Sequence, residues 1–250
     1  MVSVTYCGKR YYCLRGHPSL CERVLYFGLT KGGFFAESIA LREKNLVSLP
    51  KNVSDEEAAA TEPVALALHT MDMLKPDAND FATVLGQGPI GLLMTQIAKL
   101  KGCRVIAVDT EDYRLKLAEK LGADFCINAT SEDTVKRVKE ITGRGSDVVI
   151  EAAGNTEAVE QTPFLVRKGG RVALTGEFEG NMNFGEADEA YFFTTYISPL
   201  EYPTALDLIA RKKVDLLSLI THRFKLTEFE AAIQRANSLE EKPVKIVITS

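Results

Sequence analysis

The residues with the most specific chemistry lie between Thr83 and Asp109, in TVLGQGPIGLLMTQIAKLKGCRVIAVD. Gly86, Gly88 and Gly91 are spaced G-x-G-x-x-G, and Asp109 ends the next apolar run. This spacing suits a dinucleotide: Gly86 permits a tight turn, Gly88 lets the backbone approach a pyrophosphate, and Gly91 lets a helix pack close to its strand. A helix opening at Pro89 and Ile90 turns unpaired N–H groups and the positive end of its dipole toward the phosphates. Proline costs nothing there, because a first-turn N–H has no helical partner anyway. Asp109 can accept bonds from a ribose 2′-hydroxyl but meets a 2′-phosphate with like charge, so NAD is expected rather than NADP. The competing reading of Asp109 is a cap on the turn into Tyr113–Leu121.

Two further groups could do chemistry. Cys7, Cys13 and Cys21 cluster in a loop-rich stretch, CGKRYYCLRGHPSLC, where clustered thiols suggest a metal site. Zinc wants four ligands, and Arg10 sits where a fourth thiolate would fit; a guanidinium cannot ligate and repels a cation. His17 is the nearby substitute, and occupancy well below one zinc per chain is expected. Glu62 is a carboxylate inside an apolar run, just before Pro63. It is read either as a functional group or as a solvated helix end.

The elements that must hold these residues follow from periodicity. Apolar runs and helical patterns alternate from residue 82: strands at 82–86, 104–108, 125–128, 147–151 and 171–175, and helices at 89–100, 113–121, 131–142 and 156–167. This alternation predicts a parallel sheet covered by helices, with ligands at the carboxyl ends of the strands. Gly86, Asp109, Ala153, Thr175 and Gly176 then share one edge. Upstream, residues 35–41 have a strand pattern. Ser54 to Glu57 has the spacing of a capping box, and the helix it opens is interrupted at Glu62-Pro63 before resuming over 64–73. Downstream, a strand is expected near 192–197 and a helix over 202–211. Thr227 with Glu230 is expected to cap a last helix, and 244–248 to form a closing strand.

Composition narrows the class. The 250 residues are 46% hydrophobic and 26% charged, ordinary for a globular chain that buries a core. A net charge of −4 gives no footprint for nucleic acid, and no apolar run reaches membrane-spanning length. Five cysteines without an export signal argue for a reducing compartment, so a cytoplasmic location is expected.

Several stretches in series resemble the zinc-dependent medium-chain alcohol dehydrogenase family, in its sorbitol (polyol) and threonine dehydrogenase branch. They are the cysteine lobe, GGFFAESIAL, EEAAATEPVALALH, VLGQGPIGLL, VDTEDYRL, DVVIEAAG, KGGRVALTG, YPTALDLIARKKVDLLSLITHRFKL and KPVKIVI. The resemblance implies an α/β protein: a Rossmann doubly wound parallel sheet over 66–199, plus an incomplete GroES-like β-rich catalytic domain from 1–65 and 200–250. It implies that Gly88, Pro89 and Ile90 carry the pyrophosphate and that Asp109 and Arg114 meet the adenosine ribose. Thr175, Gly176 and Glu177, with Thr195 and Tyr196, would approach the nicotinamide, and Ala153 is small enough for a flat ring or ribose to pass close to it. It also implies an alcohol or polyol substrate, zinc as cofactor beside NAD, and homo-oligomers paired through the edge strand near 192–197. Against the family pattern, the upstream cysteine and His-Glu pair of the catalytic zinc are missing, and Glu62 alone matches a catalytic position. The expectation is an N-terminally truncated NAD-dependent dehydrogenase of poor activity; the alternative is a chain that binds NAD(H) and catalyses nothing.

Overall fold

A computed structural model describes residues 1–177, 188–238, 240 and 242–249. In chain order the elements are β1 (Val4–Thr5), α1 (Tyr11–Leu14), β2 (Leu25–Tyr26), α2 (Asp55–Ala58), α3 (Thr61–Leu74), β3 (Phe81–Leu85), α4 (Pro89–Leu100), β4 (Arg104–Asp109), α5 (Asp112–Lys120) and β5 (Phe125–Asn128). There follow α6 (Thr134–Thr142), β6 (Ser146–Glu151), α7 (Thr156–Leu165), β7 (Val166–Leu174), β8 (Tyr191–Thr194), α8 (Tyr202–Ala210), β9 (Ile220–Lys225), α9 (Phe229–Ala236) and β10 (Lys245–Thr249). Two compact units result: Met1–His69 with Tyr196–Ser250, and Thr70–Thr195. Among the described residues no helix is long and apolar enough to cross a membrane.

The second unit is a six-stranded sheet in the order β5-β4-β3-β6-β7-β8, parallel throughout. Parallel strands need crossovers, and the helices between them cover both faces of the sheet. Every residue of β6 is therefore buried. Leu85, Ile106, Val108, Ile127, Val149 and Val172 pack with Val138 of α6 and Leu165 of α7. Leu92, Leu93, Met94 and Ile97 of α4 are likewise buried. Strand β6 opens on two buried polar side chains, and both are answered. Ser146 Oγ meets Thr83 Oγ1 at 2.7 Å, and Asp147 accepts from Arg167 Nε at 2.6 Å and from the Phe81 N–H at 2.8 Å. The strand order reverses between β3 and β6, where a doubly wound sheet leaves its ligand crevice.

The first unit has little sheet: β1 pairs antiparallel with β2, and β9 pairs parallel with β10. The capping box at Ser54 forms as expected, with the Glu57 N–H donating to Ser54 Oγ at 3.3 Å and the Ser54 N–H donating to Glu57 Oε2 at 3.0 Å. Buried Tyr202 meets Ser3 Oγ at 2.9 Å through its hydroxyl, tying α8 to the start of the chain.

Three expectations change. Residues 35–41 are not a strand: an extended segment becomes one only when a neighbour pairs its backbone, and among the described residues only a Phe27–Lys31 bridge forms nearby. Glu62-Pro63 does not interrupt a helix but opens α3, where Pro63 sits in the first turn and its missing N–H costs nothing. The last helix is not capped by Thr227 and Glu230. Glu228 instead accepts from the Lys225 N–H at 2.8 Å, closing a 3-10 turn ahead of α9.

Candidate functional site

The strand–turn–helix from β3 to α4 builds the site. Gly86 takes a left-handed φ of 84°, and a Cβ there would stand 2.7 Å from the Ala153 backbone. A Cβ on Gly91 would lie 1.7 Å from the Gly86 carbonyl oxygen, so only glycine lets α4 start this close to β3. Gly88 differs from both. Its φ is −69°, and among the described residues nothing lies within 4 Å of where its Cβ would be. Gly88 therefore borders open space rather than a packed neighbour.

That space is a cavity of about 590 Å³ lined by Gly86, Gly88, Pro89, Asp109, Arg114 and Ala153, among others. Asp109 is 6% exposed at the end of β4. Its Oδ2 accepts from the Gln87 N–H at 2.5 Å and its Oδ1 from the Glu111 N–H at 2.9 Å. A carboxylate offers about four lone-pair sites, so two backbone bonds fix Asp109 and leave capacity for ribose hydroxyls. Asp109 thus also ties down the turn into α5, as the competing reading held, and it faces the cavity at the same time. Arg114 holds its guanidinium 3.8 Å from Asp109 and donates Nε–H to the Tyr113 hydroxyl at 3.0 Å.

Ile90 and Gly91 lie outside the lining, and Gly91 acts through packing. Thr175, Gly176, Glu177 and Thr195 also lie outside it. Thr175 donates its hydroxyl to the Glu151 carbonyl at 2.6 Å, and Thr195 Oγ1 meets Thr70 Oγ1 at 3.0 Å. Tyr196 belongs to the other unit, where its ring stands edge-on to Tyr26 with centroids 5.1 Å apart.

Two residues escaped the sequence reading. Gln87, fully buried between the first two glycines, donates Nε2–H to the Val84 carbonyl and accepts from Thr95 Oγ1, each at 3.0 Å. It braces the turn from inside, and a polar residue within G-x-G was its only signal. Glu151, 0% exposed, ends β6 and accepts the N–H groups of Ala153 and Gly154, both at 2.8 Å on Oε1. Its Oε2 lies 2.7 Å from where a Cβ on Gly176 would be. Burial raises the Glu151 pKa, opposed by the N–H groups of Gly154, Ala153 and Gly176. One side chain thus shapes the loops after both β6 and β7.

In the first unit, Glu62 is half-buried in the first turn of α3, at a helix start rather than a helix end. Burial raises its pKa, and the Lys245 ammonium offsets part of that rise. The Lys245 pKa is lowered by the same burial. The thiols of Cys7, Cys13 and Cys21 are gathered within 4.8 Å of one another. His17 is not part of that group. Arg10, expected to repel a cation, is engaged by Glu22 at 2.8 Å. Among the described residues these thiols are the one group of three or more His, Cys, Asp or Glu donors, and Glu62 does not belong to it.

Known proteins resemble this chain along most of its length. Residues 89–211 match the zinc-binding dehydrogenase family. A sorbitol dehydrogenase of Halalkalibacterium halodurans is 34% identical over 97% of this chain and 73% of its own length. A zinc-binding dehydrogenase of Sinorhizobium meliloti solved with NADP superposes with a TM-score of 0.90 at 29% identity, over 99% of this chain and 75% of that one. An alcohol dehydrogenase of Escherichia coli CFT073 solved with NADH gives 0.90 at 27% identity, with the same coverage. The glycine turn, the switch-point cavity and these likenesses together show that the chain belongs to the zinc-dependent medium-chain dehydrogenase family.

Proposed function

We propose that this protein is an NAD-dependent oxidoreductase of the alcohol and polyol dehydrogenase type, which binds NAD(H) in the cavity between β3 and β6. The observation that carries the reading is the unfilled space over Gly88, bordered by the buried carboxylate of Asp109. In this reading the first-turn N–H groups of α4 take the pyrophosphate, with Gly86, Gly88, Pro89 and Ile90 shaping the approach and Gly91 seating the helix. Asp109, steadied by Gln87 and Glu111, accepts the adenosine ribose hydroxyls, and Arg114 flanks them. Ala153, Thr175, Gly176 and Glu177 form the loops nearer the nicotinamide, joined by Thr195. The nicotinamide supplies the hydride acceptor when bound.

The alcohol side is less complete. Zinc-type hydride transfer needs about three protein ligands and an open position at the metal. Glu62 supplies one carboxylate, and its donors do not make a catalytic zinc site. Its raised pKa suits proton uptake from a hydroxyl, which is the role proposed for it. This favours a second reading, in which the chain alone binds NAD(H) without turnover. A cytoplasmic location, pairing of two copies through the edge strand β8, and no nucleic-acid or membrane partner complete the proposal.

The test is NADH formation by the 250-residue chain with polyols, secondary alcohols and threonine, with and without added zinc. Turnover lost in Glu62→Ala supports the dehydrogenase reading for the chain itself. Binding without turnover supports the second reading, and no dinucleotide binding contradicts both.

A further inference from the structure

The first 45 residues carry seven lysines and arginines against three glutamates, a net charge of +4 in a chain whose total is −4. Part of that excess gathers at a second cavity, within the first unit. Its volume is about 510 Å³, and Arg23, Lys31 and Arg42 line it without a single carboxylate. Among the described residues none of these three side chains takes part in an ion pair. Other cations of the same stretch are engaged. Arg10 is bound to Glu22 at 2.8 Å, Arg15 lies 4.0 Å over the Tyr11 ring, and Lys44 donates to the Tyr6 carbonyl.

Local structure brings the three together. Thr5 of β1 pairs with Leu25 of β2, which leaves Arg23 just ahead of that ladder. The Gly28 N–H donates to the Lys31 carbonyl at 2.8 Å, a turn that returns Lys31 to Phe27, with its ammonium 5.2 Å from the ring centroid. Asn45 Nδ2–H donates to the Val4 carbonyl at 2.9 Å, pinning the 3-10 turn Glu43–Asn45 to β1, and Arg42 caps that turn. The N–H groups of Leu41 and Arg42 have no partner among the described residues, so two backbone donors stand in the same wall. Cys7 also lines the cavity, and its sulfur keeps to those of Cys13 and Cys21, 3.8 and 3.5 Å away.

Three like charges around one cavity repel one another, and an anion among them turns that repulsion into attraction. Guanidinium groups grip phosphate and carboxylate oxygens through paired N–H bonds, and an ammonium adds a point charge. Leu25, Phe27 and Leu41 give the remaining wall a carbon surface. The volume falls in the range of roughly 300–1,000 Å³ that suits one small molecule. We infer that this cavity binds a small organic phosphate monoester, its dianionic head on Arg23, Lys31 and Arg42 and its carbon part on Leu25, Phe27 and Leu41. A phosphate suits three cations better than a carboxylate does, because it brings nearly two charges and three acceptor oxygens. The dinucleotide cavity lies wholly in the second unit, and the inference does not depend on it.

The test is calorimetric titration of the full chain with phenyl phosphate, compared with phenol, benzoate and inorganic phosphate. One phenyl phosphate per chain is expected, bound at least tenfold more tightly than benzoate or inorganic phosphate, with no binding of phenol. Arg42→Gln and Lys31→Met should each weaken phenyl phosphate about tenfold, the worth of one charge-assisted hydrogen bond. Neither side chain makes an ion pair in the fold, so NADH binding and thermal unfolding should stay at parent values. Lys51→Gln, which removes an exposed cation outside the cavity, should leave phenyl phosphate binding unchanged. Saturating NADH should leave it unchanged as well. The inference is overturned if the folded chain binds no phenyl phosphate, or binds phenol, benzoate or inorganic phosphate as tightly. It is equally overturned if Lys51→Gln weakens binding as much as Arg42→Gln, or if NADH displaces phenyl phosphate.

Discussion

Gly88→Ala separates what the fold needs from what the ligand needs. The residue has φ −69° and ψ −171°, which alanine adopts freely, and among the described residues its new methyl would meet no protein atom within 4 Å. Replacing glycine at such a position shrinks the unfolded ensemble, so stability should rise by about 0.4–1 kcal/mol. The methyl nonetheless enters the cavity, where an anion must come within about 2.9 Å of backbone N–H groups to bond them. Holding the pyrophosphate off those donors should weaken NADH at least tenfold, about 1.4 kcal/mol. Gly91→Ala is the internal contrast. Its Cβ would sit 1.7 Å from the Gly86 oxygen where real Cβ contacts essentially never fall below 3.0 Å. Helix α4 must then move by more than an ångström, and overpacking of this kind costs about 1–3 kcal/mol. The assay pairs thermal unfolding with NADH fluorescence titration for both variants. Undiminished NADH binding in Gly88→Ala would refute the assignment of that space to the pyrophosphate. A stability loss in Gly88→Ala matching that of Gly91→Ala would refute the claim that the two glycines serve different ends.

Two other perturbations test the site. Asp109→Ala should weaken NADH more than NADPH and narrow the preference between them; because Asp109 also holds the N–H groups of Gln87 and Glu111, unfolding should be followed in the same samples. Equal losses for the two dinucleotides would count against ribose recognition by Asp109. Glu151→Gln tests the buried carboxyl through pH. Its folded pKa is raised by burial, so the stability tied to the neutral form is complete below the ordinary carboxylate range and is lost as pH rises through the folded value. Urea unfolding across pH should therefore show the glutamine variant gaining on the parent as pH rises. Parallel curves would contradict this.

The parallel half of the fold was legible because each strand is a short apolar run and each helix carries its own period. Helix α4 and strand β5 lie at the bounds that periodicity predicts. Strand β7 shows the limit. It starts at Val166, directly off α7, because Val166 pairs with Ser146, whereas local pattern extends the helix to 167 and starts the strand at 171. Phe35–Leu41 shows the same limit in reverse: alternation marks a strand, but pairing makes one. In the site, Gly86, Gly91 and Asp109 announce themselves by spacing. Gln87 and Glu151 do not, because their roles depend on atoms of Thr95, Val84, Gly154 and Gly176 that only the fold brings near. Glu62 was visible as an acid among apolar residues, yet its surroundings depend on Lys245, far off in sequence and close in the first unit.

The central claim is that the cavity over Gly88 and Asp109 is an NAD(H) site, and calorimetric titration of the purified 250-residue chain with NADH and, separately, NADPH tests it most directly. The account predicts one NADH per chain, with NADPH at least tenfold weaker, a gap of about 1.4 kcal/mol. NADPH binding as tightly as NADH, or neither binding, would contradict it.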